Sequence, residues 1–244
     1  TKDQLRLDDD VLTKRYQSEF DYAHQARAVF ATDSPDLSSM LSKAEYHAYL
    51  TDALSDIIEK TSLQTLVLFN SLEDIEAVYN GLSIRGLNKK REILAQGVNG
   101  TPEKLKKRFV LTSSKSILLG AGSFWEGIDL PEEKLELLVI TRLPFQSPDS
   151  LINKVRYRNV QAKGHNPFSA VSLPEAALKF RQGFGRLIRT KDDHGILAVL
   201  DSRIVNKRYA HEFTDTLPKD LRIDRVEMKD IPEIICDTEK DFGF

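Results

Sequence analysis

Short apolar runs alternate with amphipathic segments through the middle of the chain. Five runs rich in leucine, isoleucine and valine are separated by segments in which apolar residues recur at helical spacing. The runs span residues 63–70, 92–98, 115–122, 135–145 and 195–203. Near-continuous apolar strands between helices predict an α/β fold, in which a mostly parallel sheet carries helices on both faces.

Helix start signals support this interpretation. Ser42 is followed three residues later by Glu45, which predicts a capping box at the start of a helix over 42–62. Ser71 predicts the N-cap of a second helix directly after the first apolar run. Pro102 occupies a position that suits the first turn of a third helix.

The same pattern predicts the domain organisation. We expect one domain over residues 1–244, with its core between 60 and 218. Around the core, the pattern leaves a leading segment with one helix at 1–60, a helical insertion at 145–173 and a tail at 219–244. The first 40 residues and the tail contain no clear strand or helix pattern.

Composition narrows the classes of function. The formal net charge is −2, so a nucleic-acid role requires a local basic face rather than a bulk positive field. Cys236 is the single cysteine, which excludes an internal disulfide and favours a reducing, cytoplasmic location. No apolar run is long enough to predict a membrane span. Because the chain starts with TKDQ and not with methionine, we expect it to be part of a longer protein.

Ligands of open α/β sheets bind beyond the carboxyl ends of the strands, so the residues that follow the predicted strands are candidates. One such loop, GAGSFWEGID over 120–129, resembles a phosphate loop. The dinucleotide fingerprint fails because its third glycine is Trp125, and the P-loop fails because its lysine and hydroxyl positions are Ile128 and Asp129. The loop therefore does not hold a triphosphate alone; a strand-to-helix turn with structural glycines is the alternative.

A second candidate is the segment LPEAALKFRQGFGRLIRT, which we predict to be helical from Pro174 onward. At 100° per residue, Gln182, Arg186 and Arg189 fall on one stripe. Two arginines beside an amide suit the binding of an anionic group, since guanidinium forks match phosphate oxygens. The alternative is a solvated basic face that forms surface salt bridges.

Three segments resemble helicase motifs. QGFGRLIR over 182–189 resembles motif VI of superfamily 2 helicases, GSFWEGIDLP over 122–131 resembles motif V, and LVLFNS over 66–71 resembles motif IV. The three motifs occur in the expected order along the chain. Their residues and the segments that flank them resemble the DinG branch, relatives of the XPD-type DNA helicases, over about residues 20–218.

The resemblance implies a RecA-like second motor domain, whose ATP lies in a cleft completed by a first domain. That first domain would carry the P-loop and the Mg²⁺ ligands. The iron–sulfur cysteines of many relatives lie in the missing half, so no cluster is expected in this chain. The resemblance further implies single-stranded DNA as a partner and no membrane. We expect the chain alone not to hydrolyse ATP.

Residue roles follow from the same resemblance. Arg186 and Arg189 are expected to reach the γ-phosphate, with Arg189 as the arginine finger. Gln182 and Gly185 are expected near ATP. The motif V positions implied to contact or couple to the nucleotide are Glu126, Gly127 and Asp129.

The implied DNA contacts come from residues after the strands. They are Asn70, Ser71, Gly122, Ser123, Phe124 and Arg142. Trp125 either stacks on a base or belongs to the core. The activity of the whole protein stays open between an ATP-driven DNA helicase and a nucleotide-gated, single-strand-binding module of a DinG-like exonuclease that does not unwind DNA. The third alternative is an α/β domain with an arginine-bearing helix unrelated to ATP.

Overall fold

Seven parallel strands form the centre of the computed structural model, which describes residues 19–35, 42–111, 115–125 and 135–244. Their order across the sheet is β3-β4-β2-β5-β6-β1-β7, and each neighbouring pair is parallel. The strands are β1 (Ala26–Ala31), β2 (Thr65–Leu68), β3 (Ile93–Ala95), β4 (Ile117–Gly120), β5 (Leu137–Ile140), β6 (Gly195–Val199) and β7 (Arg222–Val226). The five predicted strands are all present, and the α/β fold class is confirmed.

Successive strand residues face opposite helical layers, as the pleat of a strand requires. In β2, Leu66 and Leu68 join one apolar cluster, whereas Val67 and Phe69, the latter just past the strand, join the other. Because both faces are buried, the central strands read as continuous apolar runs in the sequence.

Helices cover both faces. Those of eight residues or more are α2 (Lys43–Lys60), α3 (Leu72–Ile84), α5 (Pro102–Leu111), α6 (Leu151–Ala162), α7 (Leu173–Phe184) and α10 (Ile231–Phe242). The shorter ones are α1 (Tyr22–Gln25), α4 (Leu87–Lys90), α8 (Arg203–Asn206) and α9 (His211–Thr214). Helices α2, α3 and α10 pack on one face, and α5, α7 and α9 pack on the other. No helix in the described ranges has the length and apolar character needed to cross a bilayer.

The predicted helix starts are confirmed. The Ser42 side chain accepts from the backbone N–H of Glu45, and the Glu45 carboxylate accepts from the N–H of Ser42. Ser71 caps α3 by accepting from the N–H of Asp74 at 3.1 Å. Pro102 is the first residue of α5.

The sheet extends beyond the predicted core of 60–218 at both ends of the chain. Strand β1 comes from the leading segment and lies between β6 and β7. Strand β7 comes from the tail and forms the edge, where its outward side chains are polar. An ion pair between Arg27 of β1 and Asp224 of β7, at 2.7 Å, joins these two strands. Charged residues in both segments broke the apolar pattern on which the strand predictions depended.

Candidate nucleotide and nucleic-acid interface

The carboxyl ends of the parallel strands meet at one edge of the sheet, and the candidate residues Asn70, Gly122, Ser123 and Arg142 follow strands there. Short hydrogen bonds join the segments that follow β2, β4 and β5. Trp125 Nε1 donates to the carbonyl oxygen of Phe69 at 2.7 Å, and Asn70 Nδ2 donates to the carbonyl oxygen of Leu143 at 3.0 Å. The structure therefore brings together three segments that are far apart in sequence.

Asp201, which follows β6, forms hydrogen bonds at the same edge of the sheet. Asp201 accepts from the backbone N–H of Leu143 at 2.8 Å and forms a two-oxygen ion pair with Arg203. The Arg203 guanidinium lies 5.5 Å from the ring centre of Phe145. This network connects the loop after β5 to the end of β6. Arg142, half-buried, lines a small crevice beside it together with Tyr46, Asp201 and Arg203.

The turn after β4 depends on two glycines. Gly122 has φ = +55°, a conformation that other residues adopt at a cost. At Gly120, a Cβ atom would overlap the Phe124 side chain, so the missing side chain lets this ring fold back against the strand. The turn Gly122–Phe124 consequently exposes Gly122 and Ser123 and buries Phe124 and Trp125.

Two of the residues implied to contact DNA, Phe124 and Trp125, are buried by this turn. The Trp125 indole is 3% exposed and packs in the core, so the structure supports the core alternative and not base stacking. The Phe124 ring is fully buried, and its backbone N–H donates to the carbonyl oxygen of Ala121 at 3.1 Å. The surface of this turn is therefore provided by Gly122 and Ser123.

A cavity of about 220 Å³ lies beside the turn. Asn70, Gly122 and the edge of Trp125 form one side, and Lys179 of α7 supplies a positive charge. The remaining lining residues come from the segment after β5 and from α6: Pro144, Phe145, Gln146, Ser147, Ser150 and Asn153. Sequence reasoning missed Lys179, although it lies about one helical turn before Gln182, and missed the serines of the predicted insertion.

The helix that precedes the arginines is shorter than predicted. Helix α7 ends at Phe184, and Gly185 leaves the helical conformation with φ = −62° and ψ = 2°. The next two backbone N–H groups, of Arg186 and Leu187, bond to carbonyls three residues earlier, at 3.3 and 2.9 Å. The prediction that Gln182, Arg186 and Arg189 share one helical stripe is therefore wrong.

Arg186 faces the interior and not outward. Its side chain is buried at 9% exposure and donates to the carbonyl oxygens of Phe124 and Trp125, the latter at 2.8 Å. Burial lowers the pKa of the Arg186 guanidinium, and the nearby positive charge of Arg189 lowers it further. Arg186 thus connects the segment after α7 to the turn after β4 through hydrogen bonds.

Arg189 lies in the segment between α7 and β6 and is half-buried. Its backbone N–H donates to Asp193 Oδ2 at 2.7 Å. Gln182 and Gly185 are exposed on the last turn of α7 and at its end. Glu126, Gly127 and Asp129 lie outside the described residues.

This geometry defines the class of domain. The parallel sheet, the helices on both faces and the paired segments at its carboxyl edge form the RecA-like α/β arrangement of helicase motor domains. A solved structure titled "XPD_Helicase" superposes with a TM-score of 0.62 at 20% identity, covering 82% of this chain and 35% of that one. A second, "Structure of S. tokodaii Xpd4", gives 0.56 at 18% identity over 87% of this chain and 41% of that one. At these identities the similarity shows the fold.

The chain belongs to the helicase C-terminal domain family, whose model matches residues 54–220. It is 36% identical over 207 residues to the 3'-5' exonuclease DinG of Bacillus subtilis, covering 84% of this chain and 22% of that protein. It is 37% identical over 208 residues to the ATP-dependent DNA helicase DinG of Photobacterium profundum, covering 84% and 29%. The predicted DinG resemblance is confirmed, and the chain spans about a quarter of these relatives.

Proposed function

We propose that this chain is the second motor domain of a DinG-type, ATP-dependent DNA helicase. The observation that carries the proposal is the contact of Arg186 with the turn after β4. Through this contact, the segment that holds Arg189 and the turn that lines the cavity form one connected unit. A motor needs such a connection, because hydrolysis on one side has to change the grip on DNA on the other.

On the nucleotide side, Arg189 acts as the arginine finger for ATP held by a first RecA-like domain. A guanidinium at this place stabilises the charge that develops on the transferring phosphoryl group. Gln182 and Gly185 form the nearby wall. The motif V resemblance adds Glu126, Gly127 and Asp129, which lie outside the described residues, as further nucleotide contacts. The P-loop and the Mg²⁺ ligands belong to the first domain, so the chain alone does not turn over ATP.

On the DNA side, the carboxyl edge binds the backbone of a single strand. Asn70, Ser71, Gly122 and Ser123 offer amide, hydroxyl and backbone groups of the kind that contact phosphate oxygens. Lys179, at the cavity, adds the positive charge that attracts a phosphodiester. Arg142 extends the same edge toward β6. We propose a cytoplasmic location for this activity.

The names of the two relatives support different activities for the whole protein. One is called an exonuclease and the other a helicase, at 36% and 37% identity to this chain. The second candidate is therefore a nucleotide-gated module that binds single-stranded DNA for an exonuclease and does not unwind it. Strand displacement from a forked duplex, measured with the full-length protein and ATP, distinguishes the two: release of the strand supports the helicase.

The arginine finger is tested by Arg189→Ala in the full-length protein. An arginine finger contributes on the order of 10³-fold or more to kcat, so DNA-stimulated ATP hydrolysis should fall by about that factor. Arg181→Ala is the matched control, since Arg181 is an exposed arginine on the last turn of α7. Unchanged turnover in Arg189→Ala would show that the nucleotide side is assigned incorrectly.

The DNA side is tested by Lys179→Ala and a titration of fluorescent oligo-dT at several salt concentrations. Loss of one phosphate contact should weaken binding and reduce the slope of log K against log salt by about 0.7, the value for a single strand. Lys60→Ala is the control, because Lys60 ends α2 near the amino ends of the strands and pairs with Glu233. Equal slopes in the wild type and Lys179→Ala would remove Lys179 from the DNA path.

A further inference from the structure

The segment that carries Arg189 is an irregular connection between α7 and β6, yet several hydrogen bonds determine its conformation. The Asp193 carboxylate accepts through Oδ2 from two consecutive backbone N–H groups, those of Arg189 at 2.7 Å and Thr190 at 2.8 Å. A carboxylate that accepts from successive N–H groups forms a short, closed turn. The backbone position of Arg189 is thereby tied to Asp193.

A second side chain holds the same segment from a distant part of the chain. Gln25 is buried at 5% exposure, and its Nε2 atom lies 3.1 Å from the carbonyl oxygen of Thr190. The same nitrogen lies 3.0 Å from the carbonyl oxygens of Lys191 and Asp193. A primary amide has two N–H groups, so three carbonyls that converge on it share two protons.

The oxygen of the Gln25 amide also forms a hydrogen bond. Its Oε1 atom accepts from the backbone N–H of Asp21 at 2.9 Å. Gln25 directly precedes β1, whose first residue Ala26 pairs in register with Gly195, the first residue of β6. The amide is therefore fixed to the sheet at the point where the Arg189 segment enters it.

We propose that Gln25 and Asp193 are positioning residues for Arg189. This inference rests on the proposed role of Arg189 as arginine finger. Stabilising charge on a phosphoryl group demands a precise placement of the guanidinium, and a misplacement of about 1 Å can cost on the order of 10² in rate. An irregular segment does not provide that precision by itself, whereas the Asp193 turn and the Gln25 amide connect it to the central sheet.

The test compares Gln25→Ala with a matched glutamine elsewhere. Gln64 is also 5% exposed and also bonds backbone groups on both sides of its amide. Its Nε2 donates to the carbonyl oxygen of Phe109 at 2.7 Å, and its Oε1 accepts from the N–H of Ser116 at 2.6 Å. Gln64 directly precedes β2, which β5 and β6 separate from β1, so its amide bonds segments other than the one that carries Arg189.

In the full-length protein, Gln25→Ala should lower kcat for DNA-stimulated ATP hydrolysis by on the order of 10²-fold and leave KM for ATP largely unchanged. Gln64→Ala should lower the melting temperature to a similar extent and leave kcat unchanged. Asp193→Ala should act like Gln25→Ala. Asp193→Asn should recover part of the loss, because its amide oxygen still accepts a hydrogen bond.

The outcomes separate this inference from the proposed function. If Arg189→Ala abolishes turnover and Gln25→Ala retains the wild-type kcat, the positioning role is overturned and the finger stands. If Gln64→Ala lowers kcat as much as Gln25→Ala, the effect is general destabilisation and the inference also fails. If Arg189→Ala itself retains turnover, the proposed function fails first. Selective loss of kcat in Gln25→Ala, with partial recovery in Asp193→Asn, supports the inference.

Discussion

Replacing Arg186 with methionine should destabilise the domain, because Arg186 satisfies two buried carbonyl oxygens. Methionine retains most of the apolar stem and removes the donors to Phe124 and Trp125. A hydrogen bond from a charged group contributes about 1.5–3 kcal/mol, so the two together contribute about 3–6 kcal/mol before other effects.

Two effects reduce that figure. The buried guanidinium loses hydration, and it lies close to the positive charge of Arg189, as the lowered pKa of Arg186 indicates. Since both penalties disappear in the variant, we expect a net loss of about 3 kcal/mol in the free energy of unfolding. For a chain of this length, that corresponds to a fall of roughly 9 °C in melting temperature.

The assay is urea and thermal unfolding of the 244-residue chain, followed by circular dichroism. Arg181→Met serves as the control, because Arg181 is exposed and its loss should change stability by less than about 0.5 kcal/mol. Arg186→Lys should be intermediate, since one ammonium on a flexible stem replaces a planar fork. A stability of Arg186→Met equal to that of Arg181→Met would refute the inward, two-carbonyl role of Arg186.

Three further predictions concern the scaffold. Gly183→Ala should stabilise the domain by about 0.5–1 kcal/mol in urea unfolding, because a Cβ there would meet Trp125, Leu68 and Leu138 at ordinary contact distances of 3.7–3.9 Å. Gly120→Ala should destabilise it by about 1–3 kcal/mol, because a Cβ there would overlap Phe124; a loss of stability in Gly183→Ala, or none in Gly120→Ala, would contradict the packing. Ser42→Ala should cost about 1 kcal/mol as a lost N-cap, whereas Ser83→Ala should be neutral or stabilising, because the buried Ser83 hydroxyl has no hydrogen-bond partner within the described ranges; equal effects would contradict the capping role. Burial raises the pKa of Tyr46 above that of the unfolded chain, so stability should fall as the pH rises above about 10. Tyr46→Phe should make this fall shallower by about 1.4 kcal/mol per pH unit, and an unchanged slope would contradict a role of Tyr46 in it.

Local signals accounted for most of the sheet and for the helix starts. The capping box at Ser42 and the N-cap at Ser71 involve residues three positions apart, so their geometry is determined by neighbours in sequence. The five predicted strands, β2 to β6, consist of buried residues, and their apolar composition therefore revealed them. Strands β1 and β7 were missed, because charged residues interrupt them and find their partners in the folded chain: Arg27 bonds Asp224 of β7 and Thr238 of α10.

In the candidate site, too, some features followed from local sequence and others depended on tertiary contacts. Motif spacing placed Asn70 and Gly122 directly after strands, where the structure also has them. The helical period, however, continued through Arg189 in the sequence and stopped at Phe184 in the structure. No local rule shows that Arg186 finds two carbonyl oxygens at the turn after β4, about sixty residues earlier in the chain.

By itself, the sequence determined the α/β class, the central strands, the helix caps and the family, because these depend on apolar periodicity and on residue spacing. Only the tertiary structure decided that Arg186 points inward, that Trp125 belongs to the core and that Lys179 lies at the cavity. It also brought Gln25 to the Arg189 segment across 165 residues of chain. These features depend on which buried donors and acceptors meet when the layers pack, and that pairing becomes defined only in the folded chain.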